Sequence, residues 1–85
     1  MADIKVKMFT LSTCSHCRRT KEFFTSEGIE FEFIDVDLLT GDERRAVVEE
    51  VRKYNSRISY PTILIGDTVI TGFKETEIRE ALGLS

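Results

Sequence analysis

Between Ile4 and Val36 the hydrophobic period changes twice, from that of a strand to that of a helix and back, and this restricts the fold more than any other feature of the chain. Ile4, Val6 and Met8 alternate with Lys5 and Lys7, the pattern of a strand over Ile4–Phe9 with one face more buried. From Ser15 to Glu27 the positions Cys17, Thr20, Phe23 and Phe24 recur at helical spacing among Arg18, Arg19, Lys21 and Glu22, and Gly28 supplies a helix stop. Phe31, Phe33 and Asp35 then alternate with Glu32, Ile34 and Val36, an aromatic and branched run that predicts a second strand over Phe31–Val36. Strand, helix and strand in that order form a right-handed crossover, so the two strands lie parallel in one sheet.

The rest of the chain completes that sheet. Thr40-Gly41-Asp42-Glu43 has the form of a capping box and opens a second helix running to about Lys53. Val47, Val51 and Tyr54 share its apolar face, and Glu49 and Lys53 form a surface pair. Pro61–Ile65 and Thr68–Thr71 flank Gly66-Asp67, which predicts a hairpin of two antiparallel strands. A third helix over Lys74–Leu82 packs Ile78, Ala81 and Leu82 inward and stops at Gly83. The expected fold is α/β with elements in the order βαβαββα: a mixed four-stranded sheet with helices covering both faces. With 85 residues there is room for one core, so residues 1–85 read as a single domain.

A hydrophobic content of 41% and a formal charge of only −3 fit a folded soluble chain. They provide no basic face for nucleic acid or an anionic membrane. No apolar run approaches the roughly 18 to 20 residues needed to span a bilayer, and Met1-Ala2-Asp3-Ile4-Lys5 lacks the run of a signal peptide. The expectation is a cytoplasmic monomer whose partners are proteins or small molecules.

Cys14 and Cys17 are the only cysteines. A bridge across so short a loop removes little unfolded-chain entropy, so it is a poor staple; in a reducing compartment the pair reads as redox or metal chemistry. Zinc would need about four ligands, and beyond Cys14, His16 and Cys17 there is no second Cys/His pair. The redox reading fits the position. Cys14-Ser15-His16-Cys17 follows the first strand and opens the first helix, where unsatisfied amides and the positive dipole end favour a thiolate at Cys14. Cys14 is then the nucleophile and Cys17, one turn on, the resolving thiol; neither step needs a metal or an organic cofactor. His16 reads as an exposed residue of the active-site turn, Arg18 and Arg19 as solvated cations of secondary effect, and a C-x-x-C so placed in a short α/β chain signals a thioredoxin fold.

Other features have structural explanations. Phe31, Phe33, Val47, Val48 and Val51 read as core or sheet packing, and the carboxylates within Glu30–Asp37 as a solvated face. Tyr54 and Arg57 read as helix-end packing and surface.

With its motifs laid out, the chain resembles the glutaredoxin and glutaredoxin-like redoxin family over nearly its whole length. Thr13-Cys14-Ser15-His16-Cys17 is similar to that family's active-site motif, Ser59-Tyr60-Pro61-Thr62 to its cis-proline loop, and Thr71-Gly72-Phe73-Lys74 to the Gly-containing turn before its last helix. The resemblance implies a thioredoxin-like fold and reduction of protein or glutathione mixed disulfides by Cys14 and Cys17. It also implies a cis Tyr60–Pro61 bond, substrate contacts from Tyr60, Pro61, Thr62, Gly72, Phe73 and Lys74, and glutathione as co-substrate with no tightly bound cofactor. Three positions depart from the family pattern. Leu11 stands where a basic residue holds the glutathione carboxylate, and Lys74 stands where an Asp is common. The Thr-Gly-Phe-Lys turn is instead similar to the Ser-Gly-Phe-Arg turn of NrdH-type redoxins, which take electrons from thioredoxin reductase. Ser15 replaces the common proline, as in some members that bridge an iron–sulfur cluster between two subunits, so cluster carriage is the alternative function.

Overall fold

The computed structural model describes residues 4–84. Strands β1 (Val6–Thr10), β2 (Glu32–Asp35), β3 (Thr62–Ile65) and β4 (Thr68–Thr71) form one sheet in the order β2-β1-β3-β4. β1 and β2 run parallel, while β3 is antiparallel to both β1 and β4. Helices α1 (Ser15–Ser26), α2 (Gly41–Tyr54) and α3 (Glu75–Leu82) cover the two faces, and a short 3₁₀ turn at Val36–Leu38 follows β2. Element order, mixed pairing and two-faced coverage match the sequence expectation.

Strand alternation sets the two cores. Val6 and Met8 join Ile63, Ile65, Ile70, Phe24 and Ile78 on the face covered by α1 and α3. Phe9 instead joins Val36 and Val51 beneath α2. Phe24 and Phe9 are fully buried, each contributing about 1.5–3 kcal/mol by burial. The buried face of α1 is Cys17, Thr20 and Phe24, so the packing that anchors this helix also takes Cys17 inside. At its far end Gly28 (φ 70°) completes a Schellman stop: Gly28 N–H donates to Thr25 O at 3.1 Å and Ile29 N–H to Phe24 O at 2.9 Å.

Four expectations give way to the tertiary structure. The Thr40 side chain makes no cap hydrogen bond; Gly41 enters α2 at φ 59°, outside the geometry a capping box needs, and Asp42 and Glu43 favour the helix start by charge instead. Glu49 pairs with Arg52 at 3.4 Å rather than with Lys53. Tyr54, the last residue of α2, is exposed although it shares a helix face with Val47 and Val51, because the helix end runs past the core. Phe33 is 46% exposed because β2 is an edge strand, and the cover over its ring is the Lys21 ammonium, 3.9 Å from the ring centroid.

Candidate functional site

The junction of β1 and α1 carries both thiols, Cys14 at the end of the loop and Cys17 in the first turn of the helix, and both are free. Cys14 is the N-cap of α1, with extended backbone, and its Sγ accepts the Cys17 N–H at 3.3 Å. The sulfur therefore takes the place of the capping oxygen common at helix starts, receiving a donor the helix cannot otherwise satisfy. Cys14 is half-buried and Cys17 has no exposed surface. Burial, foremost, and then the contact with Cys14 push the Cys17 thiol up to about 12; the Leu11 backbone and the Lys21 charge pull the other way. One helical turn thus separates two chemically unlike thiols. His16, Arg18 and Arg19 are exposed, as expected.

Two carboxylates flank this junction, Asp35 bonded to Thr10 of β1 and Lys21 of α1 and Asp37 bonded to Ser12 of the loop, which corrects the reading of the Glu30–Asp37 carboxylates as a solvated face. Glu30 and Glu32 do face water, whereas Asp35 and Asp37 are half-buried and hydrogen-bonded. The parallel register sets Thr10 beside Asp35, so whatever follows β2 lies beside whatever follows β1. Asp37 Oδ1 accepts the Ser12 N–H at 2.8 Å and Oδ2 accepts the Ser12 hydroxyl, pinning the loop two residues before Cys14. Those bonds, the hydroxyl first, hold the Asp37 carboxyl below the usual range. Asp35 Oδ1 accepts the Thr10 hydroxyl and pairs with Lys21 Nζ at 3.2 Å.

The opposite wall is the segment before β3. Its Tyr60–Pro61 peptide is cis, as the resemblance implies. Tyr60 is half-buried against the Phe9, Val36 and Val51 cluster; burial chiefly, with the nearby Cys17, raises its phenol, and Arg44 opposes the rise. The hub of this segment is Asn55, which sequence reasoning leaves unremarked. Its Nδ2 lies 2.8 Å from Ser59 Oγ, 3.2 Å from Ser59 O and 3.2 Å from Thr62 Oγ1, while its Oδ1 accepts the Arg57 N–H at 3.2 Å. Between these bonds Ile58 is held at φ 49°, a conformation a β-branched residue rarely adopts.

The remaining expected contact residues divide by exposure. Thr62 is fully buried and its hydroxyl donates to Ser59 O at 2.7 Å, so its side chain serves the loop rather than the surface. Gly72, at φ 89°, donates its N–H to Pro61 O at 2.8 Å, joining the turn after β4 to the proline loop. The Phe73 ring faces Phe23 of α1, with centroids 6.0 Å apart, and packs on the core. Lys74 is exposed, 4.0 Å from Glu77. Leu11 packs against the cluster beneath α2 and supplies no charge. Among the described residues no three His, Cys, Asp or Glu side chains gather as metal ligands, so the donor set of one chain does not fit an iron–sulfur cluster by itself.

A helix-capping sulfur, a second thiol buried one turn behind it and a cis-proline wall suit thiol–disulfide exchange, and the sheet carrying them is the thioredoxin-like one. Known proteins agree on the class. The glutaredoxin family model matches residues 6–70. A glutaredoxin-like 8.6 kDa protein of the rubredoxin operon of Clostridium pasteurianum is 33% identical over 77 residues, covering 91% of this chain and 96% of that one. Glutaredoxin 3 of Escherichia coli is 30% identical over 78 residues, covering 92% and 88%. The crystal structure of Methanosarcina acetivorans methanoredoxin superposes with a TM-score of 0.90 at 41% identity, covering 96% and 87%. The chain belongs to the glutaredoxin family, and its general activity is that of a dithiol–disulfide oxidoreductase.

Proposed function

We propose that Cys14 and Cys17 form the redox dithiol and that the protein reduces protein disulfides and glutathione mixed disulfides. Cys14 thiolate attacks one substrate sulfur; an S–S bond forms to Cys14, the substrate S–S bond breaks, and the leaving thiolate takes a proton from water. Cys17, deprotonated in turn, attacks Cys14 Sγ, closing the Cys14–Cys17 disulfide and releasing the second substrate thiolate. An external thiol or reductase returns the two electrons. The observation that carries this assignment is the unequal burial of the two sulfurs: Cys14 caps the helix within reach of a substrate and Cys17 lies behind it with no exposed surface.

Tyr60, Pro61 and Gly72 are the substrate wall in this reading, with Thr62, Phe73 and Lys74 supporting it. The backbone bond from Gly72 to Pro61 makes the two loops one surface. Leu11 and Lys74 leave glutathione without two of the charge contacts the family resemblance implies, which supports a protein reductant such as thioredoxin reductase over glutathione. No observation favours iron–sulfur carriage over dithiol exchange.

The test is NADPH oxidation coupled to a disulfide substrate, run in parallel with glutathione plus glutathione reductase and with thioredoxin reductase. Cys14→Ser is expected to be inactive in both, and Cys17→Ser to lose protein-disulfide reduction while keeping glutathione mixed-disulfide reduction. An active Cys14→Ser protein overturns the assignment.

A further inference from the structure

A resolving thiol with no exposed surface must still ionise before it can attack. With the thiol pushed up to about 12, only a minute fraction of molecules carries the Cys17 thiolate at neutral pH. Part of that barrier is temporary: the hydrogen bond and the charge that Cys14 contributes disappear once Cys14 is bonded to substrate. Burial remains, and something must offset it.

We propose that Lys21 is a positioning residue for the resolving step, its ammonium fixed by Asp35 and Phe33 so that it stabilises the Cys17 thiolate in the mixed disulfide. This rests on the dithiol reading above. Lys21 follows Cys17 by four residues on α1, the spacing that brings side chains together on one helix face. Its Nζ lies 3.2 Å from Asp35 Oδ1 and 3.9 Å from the Phe33 centroid, and the Lys21 and Asp35 side chains are only 25% and 15% exposed. A cation held this way is screened less than the solvated Arg18 and Arg19. Asp35 shares the same oxygen with the Thr10 hydroxyl, which keeps the carboxylate on the β2 side of the ammonium. The groups facing Cys17 from the surrounding elements are then Cys14 at the N-cap, the Leu11 backbone, the Tyr60 phenol from the proline loop, and Lys21 backed by Asp35. Lys21 is the cation in this set. It also explains why an edge-strand Phe33 is left exposed: its ring is half of the socket for the ammonium.

Dithiobis-nitrobenzoate reads the two steps separately, without a physiological partner. Cys14 attack releases one thionitrobenzoate and leaves a mixed disulfide; Cys17 attack on Cys14 Sγ releases the second, so the protein loses two electrons, the reagent gains two, and two protons pass to water. Each unit by which a thiol rises lowers its thiolate fraction tenfold, partly offset by greater nucleophilicity, for a net loss of about three- to fourfold. Lys21→Gln is expected to slow the second phase at least threefold and leave the first within about twofold, on that scale. Lys21→Arg is expected to restore the second phase and Lys21→Glu to slow it further. Lys21→Arg separates charge from packing: a ratio changed only by loosening of α1 is not restored by the arginine charge. A phase ratio unaffected by charge at position 21 overturns the assignment. A parent protein that releases a single thionitrobenzoate per chain overturns the dithiol reading itself.

Discussion

Replacing Asn55 by Ala tests whether the wall opposite the thiols is held by one amide. Nδ2 has two hydrogens, so its three neighbours, Ser59 Oγ, Ser59 O and Thr62 Oγ1, amount to two hydrogen bonds at a time, and the Arg57 N–H bond to Oδ1 lies nearer solvent. Two bonds at about 1 kcal/mol each, with some cost for acceptors left in a buried site, give a loss of about 2–3 kcal/mol. In a domain of this size each kcal/mol moves the melting temperature by roughly 4–8 °C, so the expected drop is on the order of 10–20 °C. Thermal melting followed by circular dichroism measures it. Asn55→Asp separates hydrogen bonding from packing: it keeps the shape but points an acceptor at acceptors, so it is expected to be at least as damaging as Asn55→Ala. Loss of the amide also releases the loop that holds Ile58 at φ 49°, so KM for a protein disulfide is expected to rise more than the rate of Cys14 attack on a small reagent falls. Melting of Asn55→Ala within about 2 °C of the parent, well below the change the hydrogen bonds predict, would refute the argument.

Three further outcomes follow from the same geometry. Asp37→Asn is expected to loosen the loop before Cys14. Because the native carboxyl is held low, its contribution is present above the ordinary carboxylate range and is lost as pH falls through the lowered value; the melting difference between parent and variant should therefore be largest at neutral pH and shrink in acid. Phe73→Ala removes a half-buried ring from Phe23 and should cost about 2–3 kcal/mol, read by urea denaturation; an unchanged midpoint would return Phe73 to the surface. Since Cys17 is pushed far above neutrality, the second thionitrobenzoate phase should climb about tenfold per pH unit between pH 6 and 8, and a flat profile there would mean that something other than thiol ionisation limits resolution.

The expected fold is legible because its information is local. Alternation in Val6–Phe9, helical spacing of Cys17, Thr20 and Phe24, and the Gly66-Asp67 turn each specify an element and its buried face without reference to anything distant. The position of the thiols is legible for the same reason, since a strand followed by a helix fixes what lies at their junction. Asp35 and Asp37 are not, because alternation says which side of a strand a residue faces but not what stands past the strand's end; the partner of Asp37 is 25 residues away. The usable signal is the crossover itself: once β1 and β2 are parallel, acids at the end of β2 must neighbour the residues leading to Cys14. Asn55 carries no such signal, since Asn between a helix and a proline loop reads as an ordinary turn residue.

Full burial of Cys17 and only partial burial of Cys14 are consequences of one decision in the sequence, the phase of α1. Cys17, Thr20 and Phe24 occupy the face that packs on the sheet, and a cysteine three residues before Cys17 must then fall at the N-cap, where the first turn is still open. The same phase carries Lys21 round to Asp35 and Phe33 at the β2 edge. A slip of α1 by one residue would take Cys17 out of the core, move the capping sulfur off the Cys17 amide and draw the ammonium away from its socket together. The three features are therefore coupled through helix packing. Substitutions at Phe24, far from either sulfur in sequence, should disturb the ratio of attack to resolution, because they loosen the contact that sets the phase.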